Sequence, residues 1–278
     1  MKTGKPSRTA LGAAKHRANH QVLEGGRIFS DPLAIRILGS EAEVALRDAR
    51  ANPAHRAMRL FIAARTRFAE DALAVALTRG ARQLVVLGAG LDTYAYRAPR
   101  EGVRIFEVDH PDTQAWKRAC LAAAAITVPN DLTFAPIDFD RGTLEEGLEK
   151  AGFDRMQHTF FMWLGVTVYL SKDVVWSTLQ WISALANGVH VVFDYGEPAY
   201  SRPEAEHARL AERVSIAANL GEPWIGFFEP REMHAKLRAF GFRDIEDLGS
   251  REVVARYSGV PTDGRRGSGA HVLHASTS

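Results

Sequence analysis

The run Gln83-Leu-Val-Val-Leu-Gly-Ala-Gly-Leu-Asp-Thr93 constrains this chain more than any other stretch. An apolar strand, Leu84 to Leu87, passes straight into a turn built on Gly88 and Gly90. About twenty residues further on, a second apolar run, Val103–Val108, ends in Asp109. A glycine turn lets a ligand approach the backbone, and an acid at the tip of the neighbouring strand can accept hydrogen bonds from a ribose. Together they predict a nucleoside-containing cofactor.

The rest of the chain repeats the alternation. Strands are expected at Gln83–Gly88, Val103–Asp109, Leu132–Ile137, His158–Trp163 and Val189–Tyr195, with helices at Pro111–Ala125, Thr143–Ala151 and Lys172–Ala186 between them. The early strands are near-continuous apolar runs, as sheets covered on both faces require. The order implies an α/β fold with a doubly wound parallel sheet. Residues 1–80 hold no strand candidate and read as a helical N-terminal cap, with Asp31-Pro32 as a helix-start signal. Residues 81–278 read as the ligand-binding core, with a helical insertion at about 196–228 that contains Pro203–Asn219 and the aromatic segment Pro223-Trp-Ile-Gly-Phe-Phe228. A helix over Pro230–Phe240 and two strands, Phe242–Leu248 and Ala270–Ala275, close the chain, with Gly264–Gly269 as a mobile loop between the strands. The two parts make effectively one domain.

Composition removes several classes. A net charge of +2 over 278 residues gives no electrostatic footprint for nucleic acid or an acidic membrane. The single cysteine, Cys120, excludes an intramolecular disulfide framework and a Cys-rich zinc site. The apolar run Ala10–Ala14 is too short for a signal-peptide core, and no stretch is long and apolar enough to span a membrane. The expectation is a cytoplasmic enzyme, monomeric or homodimeric, without a metal.

Two features choose among nucleoside cofactors. The third glycine of a dinucleotide fingerprint would fall at Thr93, and Asp92 beside the turn would oppose a pyrophosphate. S-adenosylmethionine carries no phosphate and tolerates both. In Pro53–Arg79 the apolar stripe runs Ala57, Phe61, Ala64, Phe68, Ala72, Val75, and Arg65 falls on or beside it. A guanidinium there needs an anionic partner. A structural salt bridge, a snorkelling side chain and capture of the cofactor's carboxylate all satisfy that need, and spacing leaves them open. On the last reading Arg65→Ala weakens cofactor binding by roughly 1.5–3 kcal/mol and leaves the fold intact.

Gly88-Ala-Gly-Leu-Asp-Thr-Tyr-Ala-Tyr-Arg97 closely resembles the signature of the leucine carboxyl methyltransferase family, and within it the bacterial branch of class I S-adenosylmethionine-dependent methyltransferases. Similarity extends through Phe29-Ser-Asp-Pro-Leu-Ala34, Ala64-Arg-Thr-Arg-Phe68, Phe106-Glu-Val-Asp-His-Pro111, Ile137-Asp-Phe139, Trp163-Leu-Gly-Val-Thr-Val-Tyr-Leu170 and Glu229-Pro-Arg231. The resemblance implies a class I methyltransferase (Rossmann-like) fold: a seven-stranded, mostly parallel sheet with a reversed final strand. It implies that Arg65 grips the methionyl carboxylate and that Gly88, Ala89 and Gly90 pass beneath that moiety. Asp109 would accept from the ribose, Asp138 and Phe139 would hold the adenine, and Trp163 would stand at the cofactor. By alternation Glu107 shares the strand face of Asp109 and rivals it. Asp138 has an alternative role as a helix cap with Asp140.

Three departures bear on the acceptor. Tyr94 stands where many relatives have arginine, Phe139 where leucine is common, and Leu164 where the eukaryotic leucine carboxyl enzymes have glutamate. The last disfavours a protein-phosphatase substrate and favours a small molecule, methylated on a carboxylate or hydroxyl oxygen. The Asn/Asp-Pro-Pro-Tyr/Phe loop of amino-group enzymes is absent from the Trp163-Leu-Gly165 region, and no acidic cluster has obvious magnesium spacing. Tyr169 is the candidate beside the methyl. Trp224, Phe227 and Phe228 either line the acceptor pocket or belong to the core. His110, His158 and His207 are conceivable bases, none preferred. A nicotinamide-dependent oxidoreductase is the alternative enzyme, and a non-catalytic S-adenosylmethionine-binding module the alternative class.

Overall fold

The computed structural model describes residues 7–97, 101–139, 141–219, 221–259 and 269–277. Asp140 and, apart from Gly269, the Gly264–Gly269 loop lie outside them. The strands are β1 (Gln83–Leu87), β2 (Arg104–Asp109), β3 (Leu132–Pro136), β4 (Thr159–Trp163), β5 (Val189–Gly196), β6 (Asp244–Gly249) and β7 (Ala270–Ser276). They form one seven-stranded sheet in the order β3-β2-β1-β4-β5-β7-β6. The first five are parallel, and β7 runs antiparallel to both β5 and β6. The expected class I methyltransferase architecture is borne out, each strand lying within two residues of its expected bounds.

Alternation along the strands builds two cores. Val85 and Leu87 of β1 face Phe106, Val108, Phe161 and Phe193 on one side of the sheet. There α7 (Leu144–Lys150), α8 (Lys172–Ser183) and α10 (Pro230–Ala239) cover them with Leu148, Leu179 and Leu237. Leu84 and Val86 face the other side, against Phe61, Ala64 and Phe68 of α4 (Arg56–Thr78). Helix α4 therefore packs directly on the sheet, because its apolar stripe is as long as the strands it covers. A third cluster joins α1 (Arg8–Leu23) and α2 (Ala34–Leu38) to Leu91 after β1 and to Leu121 of α6 (Pro111–Ala123), while α3 (Glu41–Ala51) and the short α5 (Tyr94–Arg97) complete this side. Asp31 does more than start a helix. Fully buried, it accepts from the Leu33 amide and the Thr93 hydroxyl and pairs with Arg17 and Arg97.

The insertion after β5 carries α9 (His207–Asn219), four residues later than Pro203. A helix between β6 and β7 was not expected. There lies α11 (Ser250–Ser258), begun by the Glu252 carboxylate accepting from the Gly249 amide and ended by Gly259 at φ +70°. Only Val253 of this helix is buried, so the sequence offers no apolar stripe to announce it. No helix of the described residues is long and apolar enough to cross a membrane.

A polar knot ties the antiparallel edge to the root of the insertion. Asp247 of β6 accepts from Tyr195 Oη at 2.6 Å and lies 2.8 Å from His234 Nε2 and 2.9 Å from His271 Nδ1. His271 Nε2 lies 3.5 Å from Glu197 on the far side. Burial opposes a charge on His271, but its hydrogen bonds and attraction to Asp247 and Glu197 prevail and push its pKa up to about 9. A group whose folded pKa exceeds its unfolded value stabilises fully below the latter and loses that contribution as pH rises through the former. Stability is therefore expected to fall by roughly 2–3 kcal/mol between about pH 6.5 and pH 10. Urea midpoints across that range should show this slope in the wild type, and His271→Gln should flatten it.

Candidate active site

The carboxyl ends of β1, β4 and β5 open into a cavity of about 700 Å³. Its floor includes the Gly88–Gly90 turn, and its walls come from α1, α4, the Thr167–Tyr169 turn and the insertion. Gly88 has φ +65° and Gly90 φ +43°, conformations that L side chains rarely adopt. A Cβ on Gly88 would meet Val166 Cγ2 at 2.4 Å, and one on Gly90 would meet Ala10 Cβ at 2.9 Å. The turn is thus sandwiched between the loop after β4 and the first helix of the cap. Both glycines are needed for what lies above them as well as for the bend itself.

Asp109 sits at the end of β2 and lines the cavity. Its carboxylate accepts from the Gly90 amide at 2.6 Å and the His110 amide at 2.7 Å. Burial raises its pKa, and these amides and nearby cations offset only part of that. Each carboxylate oxygen retains a lone pair for a further donor. Glu107, on the same strand face, is 1% exposed and lies beneath α6, 2.7 Å from Lys117 Nζ, with the Tyr96 hydroxyl donating to it at 3.1 Å. Of the two rivals, only Asp109 reaches the cavity.

Arg65 also lines the cavity, at 8% exposure. Its guanidinium pairs through Nη1 with Asp194 at the end of β5, and Asp194 additionally accepts from the Gly165 amide. The salt-bridge alternative for Arg65 is therefore real, so replacing it bears on stability as well as on binding. Its Nε is buried and finds no acceptor among the described residues, so it is the rest of the guanidinium that the cavity can reach. Asp194 itself escaped the sequence reading. It lies within an apolar strand, and its partner is 129 residues away.

Tyr169 lines the cavity, and burial raises the pKa of its hydroxyl. Trp224 and Phe227 line it as well. Phe228 does not: it is fully buried in the core with its ring centroid 5.0 Å from Trp176, so its expected place in the acceptor pocket is corrected. Alternation explains the split, since Phe227 bridges to Gly196 and its neighbour turns inward. Trp163 is likewise a core side chain, 3% exposed against Phe193, and does not line the cavity. Asp138 and Phe139 follow β3 outside the cavity lining. Asp138 borders a shallow groove with Arg141 and Lys150, and Phe139 is 59% exposed.

Of the three histidines weighed as bases, His110 caps α6 through its ring, His158 stacks on His190 and His207 bonds the Arg202 carbonyl. None lines the cavity. His16, from α1, does. Burial first, then His55 and the guanidinium groups of Arg59, Arg65 and Arg213, lower its pKa to about 4, so it is neutral at physiological pH. Nothing in the local sequence marks it, because its neighbours are brought in by α4 and α9. Two carboxylate oxygens of Glu222, in the insertion, accept from the Arg8 and Thr9 amides at 3.1 and 3.0 Å and so clamp the insertion onto the start of α1. Among the described residues, no group of three or more His, Cys, Asp or Glu side chains is placed to hold a metal.

The leucine carboxyl methyltransferase family model matches residues 10–183, which take in α1, the Gly88–Gly90 turn, Asp109 and Tyr169. A Bacillus subtilis protein named "Putative S-adenosyl-L-methionine-dependent methyltransferase YktD" is 35% identical over 188 residues, covering 66% of this chain and 62% of that protein. A Mycobacterium sp. (strain JLS) relative of the same general name is 32% identical over 204 residues, 71% of this chain and 60% of the relative. The match thus spans about three fifths of each relative's length. Among solved structures, a DUF574 family protein from Streptomyces avermitilis shares the fold, with TM-score 0.55 and 15% identity over 94% of this chain and 95% of that one. The insertion that closes the cavity lies beyond the matched segment, whereas the glycine turn, its acid and the helices packed upon it lie within it. By that match over more than half its length, the chain belongs to the leucine carboxyl methyltransferase family.

Proposed function

We propose that the protein is an S-adenosyl-L-methionine-dependent methyltransferase acting on an oxygen of a small-molecule acceptor. The observation that carries this reading is the convergence of the Gly88–Gly90 turn, the Asp109 carboxylate and the Arg65 guanidinium on one cavity. The donor set suits that cofactor. Asp109 has lone pairs for ribose hydroxyls, the Arg65 guanidinium in the lining can meet a carboxylate, and Asp92 beside the glycine turn opposes a pyrophosphate there. Phe139 and Asp138 stand at the neighbouring strand end, where an exposed ring and a carboxylate could receive an adenine.

When bound, S-adenosyl-L-methionine supplies a methyl group already activated on a positively charged sulfur. The residues of the chain then have to align the acceptor oxygen and keep water out. Tyr169, held as a neutral phenol by burial, can donate a hydrogen bond to an acceptor oxygen, and Trp224 and Phe227 supply apolar wall. A carboxylate acceptor needs no base. For a hydroxyl acceptor, the neutral His16 imidazole in the lining can accept a hydrogen bond from the hydroxyl, although its lowered pKa makes it a weak base. Leu164 in the lining and the clamp of Glu222 on α1 favour a small, enclosed acceptor over a protein chain end.

Calorimetry with S-adenosylhomocysteine and with NAD⁺ tests the cofactor. The first should bind and the second should not. Asp109→Asn should weaken S-adenosylhomocysteine by roughly 1.5–3 kcal/mol, the scale of hydrogen bonds to a charged group. Glu107→Gln should leave affinity within about twofold and instead lower the melting temperature, because it removes a charge from a buried pair. The opposite order of effects would move the ribose acceptor to Glu107.

A further inference from the structure

The cavity wall contributed by the insertion is cationic and unbalanced. Arg209 and Arg213 lie one turn apart on α9 and both line the cavity. Residues four apart are neighbours on a helix surface, where like charges repel. Among the described residues neither guanidinium has a carboxylate within ion-pair distance. The acids of the same cavity are engaged elsewhere. Asp109 accepts from the Gly90 and His110 amides, Asp92 from the Tyr94 amide, and Asp194 serves Arg65 and Gly165. Glu206 stands by Arg202, whose Nε and Nη2 donate to the Glu197 and Gly269 carbonyls. The charge of Arg213 is felt across the space, where it helps depress the pKa values of His16 and Arg202. The helix is anchored by Leu210 and Ala217, so the arginine pair is presented from a fixed face.

Guanidinium groups that line a cavity, exposed to solvent and without a carboxylate partner, fit an oxyanion, which two of them can grip with parallel charge-assisted hydrogen bonds. The geometry points to an acceptor that carries an anionic oxygen group, carboxylate or phosphate, held by Arg209 and Arg213 and distinct from the oxygen that is methylated. This rests on the methyltransferase reading of the same cavity and names its substrate class. Arg209 and Arg213 are then positioning residues for the acceptor, and they sit in the part of the chain that the family match leaves out.

The test uses the full-length protein and three probes of similar size: 4-hydroxyphenylacetate, phenyl phosphate and the neutral 4-hydroxyphenylacetamide. Affinities are measured by calorimetry with S-adenosylhomocysteine first titrated in. At least one anion should bind about tenfold or more tighter than the amide, as charge-assisted hydrogen bonds imply. The rank of carboxylate against phosphate identifies the group. In Arg209→Gln/Arg213→Gln that preference should fall to about threefold or less, with S-adenosylhomocysteine affinity and melting temperature unchanged, since both side chains are exposed. Equal binding of amide and anions by the wild type, or an unchanged preference in the double variant, overturns the proposal. Failure of S-adenosylhomocysteine to bind strikes the methyltransferase reading instead, and the probe titrations without it still decide the anion site.

Discussion

Replacing Asp194 with alanine is expected to destabilise the protein by about 3–5 kcal/mol, the cost of stranding one member of a buried ion pair. Asp194 and Arg65 are 9% and 8% exposed, so little water can take over from the lost carboxylate. The Gly165 amide loses its acceptor in the same stroke. Asp194→Asn keeps an oxygen for Gly165 and removes the charge, and should cost roughly half as much. Arg65→Ala should be milder than Asp194→Ala, because the carboxylate retains one hydrogen bond. The double replacement should cost less than the sum of the singles, the signature of a coupled pair. Urea denaturation of the four proteins measures this. A loss below about 1 kcal/mol in Asp194→Ala would mean that solvent screens the pair as it screens surface bridges.

Gly88→Ala is the second large effect. The residue's φ of +65° costs an L side chain about 1–2 kcal/mol. Its new Cβ would lie 2.4 Å from Val166 Cγ2, a stiff β-branched group that cannot swing aside, which adds overpacking of about 1–3 kcal/mol. The expected total is roughly 2–5 kcal/mol. Because Val166 lines the cavity, its displacement should also weaken S-adenosylhomocysteine roughly tenfold or more. Adding Val166→Ala removes the steric part and leaves the backbone part, so the pair should recover about half the stability. If the second substitution restores nothing, the dihedral angle alone accounts for the glycine.

The strands were legible because fully covered parallel strands announce themselves as unbroken apolar runs, as in Leu84–Leu87 and Phe160–Trp163. Helix α11 was not, with a single buried position in nine residues. The site followed the same division. Gly88, Gly90 and Asp109 are local in sequence, fixed by one strand–turn unit and the strand beside it, and they do meet at the cavity. Phe228 and Trp163 share composition with their neighbours Phe227 and Leu164, and only the direction each side chain takes from the backbone separates core from lining. Aromatic character is common to both fates.

Sequence alone determined the strands, most of the helices between them, the glycine turn and the acid beside it, since each depends on residues within a few turns of chain or on a periodic pattern. Tertiary structure decided the partners. That Arg65 meets Asp194, that Glu107 is buried on Lys117 while Asp109 reaches the cavity, and that His16 looks toward Arg213 all arise from segments brought together across the fold. The physical reason is that burial and charge compensation are properties of a place, and a place is made by contacts that no local pattern encodes.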